Sequence, residues 1–517
     1  MMNNNNIPKI PADKFRFVGD EGRLHDQKMD TKQLSYFHDA FNRFCKNKSS
    51  VTAAIIIIIL VIYSIVTPIL FETNYTNSLT DTDYLLYSKL LPRNELCVKM
   101  GWNFWNGASD KTYGENNYLA IKAIEDETGF DVIKEIKNIA IRVDKNGKES
   151  KDYTVTVDSY LGNGFTYMTF TEEQYQDIQK WQNEHGIQII YPAVQDAELK
   201  DANIWYKTNK KGVAQLDKEG NFQDIYRVSG RDDYDSLRVA GDPGLEDPEA
   251  SDRYRYARVT GTSEAISYKC RVFKNNYFQY KFGHEANFYF GTNDFGQDIL
   301  TRLAKGAQFS LIFAICISAI NLFIGAVYGA IEGYYGGMVD LLMERFTDIL
   351  ARVPFMVVTT LFQLHLAKKV GAIPSLLFAF VLTGWIGMAS TVRMQFYRFK
   401  GQEYVLASRV LGASDWRIMF RHIFPNSLGT IITSSVLVIP GVIFSESSLT
   451  YLGIVNLDSA TMTSVGTMLA NGKEFLSSFP HIILFPALFI ALLEVSFNLF
   501  GNGLRDAFNP SLRGAED

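Results

Sequence analysis

The chain has 517 residues, 47% of them hydrophobic, and a formal charge of −5. That length has room for more than one domain, and with no basic stripe outside apolar flanks the charge pattern gives nucleic acid no footing as a partner. Four cysteines without metal-ligand spacing leave no candidate metal site.

Residues 1 to 50 are expected to form a cytoplasmic segment, disordered to about residue 30, where Asn-rich and charged stretches prevail. Ser35 to Lys48 carries Tyr36, Phe37, Ala40, Phe41 and Phe44 at helical spacing, which predicts an amphipathic helix on the inner membrane surface. Val51 to Leu70 then runs uncharged, long enough to cross a bilayer. Arg43, Lys46 and Lys48 before it set its start in the cytoplasm. The first transmembrane helix is therefore placed at 51–71.

Residues 72–289 are polar, with no spanning run, and topology puts them outside the cell as an inserted α+β domain. Tyr153 to Val157 alternates like a strand, Thr171 to Gly186 has a Thr cap and a terminal Gly, and Gln188 to Tyr191 is strand-like again. Arg253 to Phe290 holds several aromatic strand candidates, and Asp242-Pro243-Gly244 is a turn. Cys97 and Cys270 lie near the two ends of this block. They either pair as a disulfide or stand as two buried thiols. The acid pairs Glu172-Glu173 and Asp232-Asp233 suit a solvated surface better than catalysis, and no nucleophile motif accompanies them.

From Phe290 the sequence reads Gly291-Thr292-Asn293-Asp294-Phe295-Gly296-Gln297-Asp298, then Arg302. Asp294, Asp298 and Arg302 are spaced by four and can pair along one helix face; lining the mouth of a pathway is the alternative use. Five more spans follow, at about 310–331, 346–366, 372–392, 427–445 and 482–499. Between the fourth and fifth, bracketed by Arg393, Arg398, Lys400, Arg417 and Arg421, runs Glu403 to Asp415. Tyr404, Ala407 and Leu411 share a helix face, Gly412 breaks the helix, Ser414 can cap a second one, and Asp415 suits its N-terminus. The result is a helix-turn-helix elbow with few charges, which needs a protein partner to cover it.

This order of residues, through Ile423-Phe424-Pro425-Asn426, resembles the coupling loop of ATP-binding-cassette (ABC) importer permeases, and is closest to the C-type subunit of oligopeptide/dipeptide importers. Leu406, Ser408 and Phe424 depart from the commonest residues of that loop. The segment from Gly291 to Arg302 is similar to the family's entry into its second helix, with Asn293 and Gln297 in place of an Asp and an Arg. Glu446-Ser447-Ser448-Leu449 and the ending Phe497-Asn498-Leu499-Phe500-Gly501-Asn502-Gly503-Leu504-Arg505-Asp506 also match. Ser464 to Leu469 looks like the family's re-entrant loop.

The resemblance implies an α-helical polytopic membrane protein: six transmembrane helices, a five-helix core at 290–513 and a coupling loop near 400–426, with a short tail at 514–517. It implies that Glu403, Tyr404, Ala407, Ser408, Leu411, Gly412, Ala413 and Asp415 meet an ATPase subunit. Asp294, Asp298, Arg302, Glu446, Met468 and Asn498 are the candidate pathway residues. Glu494 is read as a hydrogen bond between helices. No G-x-x-x-x-G-K-[ST] loop occurs, so ATP and Mg are expected on partner subunits, and no cofactor on this chain. The implied partners are a second permease, two ATP-binding subunits and an extracellular substrate-binding lipoprotein, with both termini cytoplasmic in the plasma membrane. Peptides lead as substrate; nickel complexes or another small solute are the alternative. An ion-coupled carrier would call for inverted repeats and midplane charges, neither of which is evident.

Overall fold

The computed structural model describes residues 36–71, 86–143, 149–191, 265–458 and 462–508, with short stretches between 204 and 262. The expected N-terminal disorder, the turn at Asp242-Pro243-Gly244, the pair Asp232-Asp233 and the tail from 509 lie outside them.

The chain enters through α1 (Tyr36–Lys46) and α2 (Lys48–Leu70). Ala40 and Phe44 of α1 are buried while Phe41 is exposed, and Phe44 meets Phe500 edge to face at 5.4 Å. Asn47 starts α2 by accepting from the amides of Ser49 and Ser50, which satisfies helix donors that have no partner of their own.

The inserted domain begins with α3 (Glu95–Lys99), β1 (Ala108–Gly114), α4 (Glu115–Thr128), β2 (Ile133–Val143) and β3 (Glu149–Asp158). Its first sheet is antiparallel in the order β1-β3-β2. Next come β4 (Phe165–Thr171), α5 (Glu172–His185) and β5 (Ile190–Tyr191), then β6 (Ile204–Tyr206) paired with β7 (Asp224–Arg227), β8 (Tyr234–Asp235), β9 (Ala257–Thr262), β10 (Ala265–Phe273) and α6 (Lys274–Phe282). The second sheet runs β4-β10-β9-β8, with β5 also paired to β10. Thr171 and Gln174 close a capping box on α5, and Gly186 ends it in the left-handed region at φ +66°. Of the strand candidates expected between Arg253 and Phe290, those up to Phe273 form β9 and β10, whereas Lys274–Phe282 is α6. There Tyr277 and Phe278 are buried three and four residues beyond the buried Lys274, a helical rather than an alternating pattern.

Cys97 and Cys270 are both buried free thiols, so the disulfide alternative is set aside. Cys97 belongs to α3, whereas Cys270 is wholly buried in β10 among Phe170, Ile178 and Ile190. Burial pushes the Cys270 thiol far above its ordinary value.

The membrane part comprises α7 (Ile299–Tyr335), α8 (Gly337–Ala351), α9 (Phe355–His365), α10 (Ala367–Val370), α11 (Ala372–Gly384), α12 (Ile386–Phe399), α13 (Glu403–Val410), α14 (Asp415–Arg417), a π-helical turn at Ile418–Ile423, α15 (Phe424–Tyr451), α16 (Val465–Gly472) and α17 (His481–Phe508). Five helical stretches among the described residues are long and apolar enough to cross a membrane: α2, α7, α11 with α12, α14 through α15, and α17. A sixth is obtained if α8 and α9, bent by 70° to one another, count as one. The expected straight third helix is thus broken at Arg352-Val353-Pro354, where Pro354 has no amide to continue the ladder.

Close packing rests on small residues. Gly325, Gly329 and Gly333 of α7 face α12, and a Cβ on Gly325 or Gly333 would come within 2.7 Å of Met388 or Phe396. Helices in lipid associate through such close approach. One core gathers Leu303, Ala314, Phe380, Val442, Met468 and Leu493 from α7, α11, α15, α16 and α17. The inserted domain sits at the N-terminal end of α7 and the elbow at its C-terminal end, about 55 Å apart for 37 helical residues.

Candidate functional site

The elbow is built from its buried side outward. Val405 on α13 is fully buried and packs with Ile418, Met419, Ile423, Val392 and Phe396. Asn426 Nδ2 donates to the Tyr404 hydroxyl at 3.2 Å. The α13 helix ends as Gly412 takes φ +80°, a conformation that costs other residues, and Ala413 N returns to Ser408 O at 3.1 Å. Ser414 occupies the cap position of α14, but its side chain makes no capping bond, contrary to the expectation. Asp415 stands in the first turn, and the Tyr334 hydroxyl at the end of α7 donates to it at 2.6 Å. Arg409 donates to the same hydroxyl oxygen at 3.3 Å. Val410 and Leu411 are left 87% and 86% exposed, beside Leu406 and Trp416. Glu403, Ala407 and Gly412 are exposed as well, and Ser408 and Ala413 partly so. The predicted contact residues are therefore all at least partly exposed.

A second set of candidates forms a buried polar seam at the opposite end. Asp298 caps α7 by accepting from the amides of Leu300 and Thr301 and from Thr301 Oγ1 at 2.5 Å. Burial pushes its carboxyl up to about 6, with the bonds from Thr301 and Leu300 pulling the other way. Arg302 does not pair with it. Its guanidinium reaches Asp458 at 2.5 Å instead, and Asn471 donates to the other Asp458 oxygen at 3.2 Å. The helix begins after Asp298, so Asp294 never joins a shared face; it lies in the loop, where burial raises its carboxyl. Asn293 and Gln297, the two departures from the resemblance, bond to one another: Asn293 Nδ2 donates to Gln297 Oε1 at 3.1 Å. Glu446 is wholly buried and accepts from Ser310 at 3.0 Å, Thr450 at 3.2 Å and Ser447 at 3.5 Å. Met468 is buried on α16, whose start is capped by Ser464.

This architecture, a membrane core with a protruding elbow, meets its counterparts in known proteins. The model of the binding-protein-dependent transport system inner membrane component matches residues 322–514, and that of the N-terminal transmembrane domain of oligopeptide transport permease C matches 35–92. The oligopeptide transport system permease protein OppC of Bacillus subtilis is 41% identical over 225 residues, which is 44% of this chain and 72% of that protein. The chain belongs to this permease family. The dipeptide transport system permease protein DppC of Bacillus subtilis is 38% identical over 44% of this chain and 70% of its own length. OppC of Haemophilus influenzae is 39% identical over 44% and 72%. An inward-facing structure of the MetNI methionine ABC transporter aligns with 40% of this chain and 96% of its own at 13% identity and a TM-score of 0.34.

In this permease a cleft of about 340 Å³ opens among α7, α9, α11 and α15, lined by Phe355, Phe380, Thr383, Val438 and Ser445 together with Asn321. Asn321 is buried, and its Oδ1 has no hydrogen-bond partner among the described residues. Sequence reading missed it; an Asn inside the long apolar run of α7 was the available signal. It also missed Tyr334, whose hydroxyl role only the packing of α7 on the elbow reveals. Asn498 is exposed and donates to Glu494 O one turn back on its own helix. Glu494 Oε1 finds no partner among the described residues, so the expected bond to another helix is absent there.

Proposed function

We propose that the chain is one of two membrane subunits of an ATP-driven importer for oligopeptides or dipeptides, forming half of the pathway and driven by separate ATP-binding subunits. The observation that carries this reading is the elbow, which leaves Val410, Leu411 and Trp416 in the open although Val405 beneath them is anchored. Large uncovered apolar groups on a rigid support mark a protein-protein contact. The chain carries no phosphate loop, which supports a reading with ATP and Mg on those partners. The peptide substrate is supported by the similarity to oligopeptide and dipeptide transport permeases.

In this reading Glu403, Tyr404, Ala407, Ser408, Leu411, Gly412, Ala413 and Asp415 meet the ATPase. Its closure moves the elbow, and Asp415, Tyr334 and Arg409 pass that motion to α7 as a rigid body. In this reading the basic flank of α2 favours a cytoplasmic N-terminus, and counting α8 with α9 as a sixth span brings the elbow and the C-terminus to the same side. The inserted domain then faces outward, towards a substrate-binding lipoprotein. Asp294, Asp298, Arg302, Glu446 and Met468 brace the outer mouth from behind, while Asn321, Thr383 and Ser445 offer polar groups on the wall. The test is co-expression with a pair of ATP-binding subunits of an oligopeptide importer. Wild-type chain should retain them through purification and Leu411→Asp should lose them; retention by both would refute the reading.

A further inference from the structure

Between Arg93 and Gly107 the inserted domain sends out a loop whose neck is tied shut. Asn94 N donates to Trp105 O at 2.8 Å, Gly107 N to Pro92 O at 3.0 Å, and Arg93 N to Phe288 O at 2.9 Å. Inside, Trp102 N returns to Cys97 O at 2.9 Å and Gly101 N to Val98 O at 3.1 Å. A loop so closed holds one shape, and the shape turns its apolar groups outward. Leu96, Val98, Met100, Trp102, Phe104 and Trp105 are between 39% and 61% exposed. Trp102 and Phe104 stack at 5.1 Å, so their rings form one continuous surface. Exposed apolar clusters of this kind mark interaction sites.

The position of the loop decides what covers it. Trp105 lies flat against Phe485 at 6.5 Å and 6°, and Phe485 in turn lies flat on Phe290 at 4.1 Å and 5°. Phe485 belongs to the second turn of α17, a membrane span, and exposed Leu484, Leu488 and Leu492 continue from it down the helix. At the matching end of α2, Phe71 meets Tyr289 edge to face at 6.0 Å. Rings gathered at the ends of spans sit at the level of lipid headgroups. Trp105 also holds φ +54°, a backbone rarely adopted by bulky residues. The strain is retained where the ring is held against Phe485.

We propose that the loop 94–105 dips into the lipid interface at the ends of the spans opposite the elbow, and so tethers the inserted domain to the membrane surface. Trp105 joins the loop to Phe485, next to the exposed leucines of the span α17, and this continuity with a membrane span favours lipid as the occupant over a second protein. Amphipathic aromatic rings with polar edges suit the boundary between headgroups and acyl chains, about 5–10 Å deep. The inference uses α17 as a membrane span but not the peptide reading, so either can fail alone.

The test is depth-dependent fluorescence quenching of the full chain, assembled with its partners in phosphatidylcholine/phosphatidylglycerol nanodiscs. Emission is compared between the wild type and Trp102→Phe with Trp105→Phe. The component lost with those two side chains should be quenched by lipids brominated near the headgroup more than by lipids brominated deep in the chain, and weakly by iodide. Strong iodide quenching with no lipid quenching would overturn the tether. Protection from both quenchers would show a protein cover and overturn it equally. A nitroxide on Phe104→Cys supplies the same depth where the double variant fails to fold: accessibility to oxygen should exceed that to a water-soluble nickel chelate, and the reverse order rejects the proposal.

Discussion

The elbow and the loop 94–105 expose the same kind of surface at opposite ends of the molecule, yet they are made differently. The elbow is a helix pair with its buried face locked to α7, α12 and α15 through Val405, Ile418 and Ile423, and its uncovered residues stand among Arg409, Arg417 and Arg421. Such a rim suits a protein groove with complementary charge. The loop is the short helix α3 and an irregular return, pinned at its neck, and its rings meet a membrane span through Trp105 and Phe485. Exposure of apolar groups alone therefore says little about the occupant; the neighbouring surface decides it.

Substitutions can pull this contrast apart. Leu411→Asp should cost the ATPase contact about 2–4 kcal/mol, the scale of an interface hot spot, seen as loss of co-purification and uptake. Trp102→Asp with Phe104→Asp should leave that co-purification at the wild-type level; a shared loss would mean that the two surfaces are not independent. Next in size is the pH response of Asp298. Its folded carboxyl sits at about 6, above the ordinary 3.8, so the folded state holds more proton and the wild type loses stability as pH rises from about 4 through 6. Asp298→Asn should remove up to about 3 kcal/mol of that slope, measured by thermal unfolding in detergent across that window; parallel curves would refute it.

Smaller effects probe the supports of the elbow. Tyr334→Phe removes the donor to Asp415 and should weaken the elbow by about 1.5–3 kcal/mol, read as a lower ratio of uptake to ATP hydrolysis with assembly intact. At Gly412 a Cβ would meet nothing within 4 Å, so Gly412→Ala should cost only the backbone strain, roughly 1–2 kcal/mol, visible as reduced ATPase affinity in a titration. Reductant should leave the melting temperature unchanged, since Cys97 and Cys270 are free; a drop would reveal a disulfide.

Much of this permease was legible in the sequence because the membrane simplifies the code. An uncharged run of the right length has to be a span, and Val51 to Leu70 lies within α2 almost to the residue. The elbow was legible for a different reason. A Gly between two apolar helical segments flanked by arginines has few alternatives, and Gly412 does take the left-handed turn. Spacing by four misled at Asp294, Asp298 and Arg302, because an Asp that caps a helix spends its oxygens on amides and frees the Arg for Asp458, 156 residues away. The loop 94–105 carried no recognisable pattern at all. Its meaning comes from Phe485, nearly four hundred residues further on.

Chain order and hydropathy alone picked out the segments long and apolar enough to cross a membrane and the position of the elbow, since both follow from local length, periodicity and one glycine. Only the fold decided who partners the buried charges, that the third span is bent by 70°, that two thiols stay apart, and which apolar groups remain uncovered. Those outcomes depend on contacts between residues far apart in the chain, which no local spacing records.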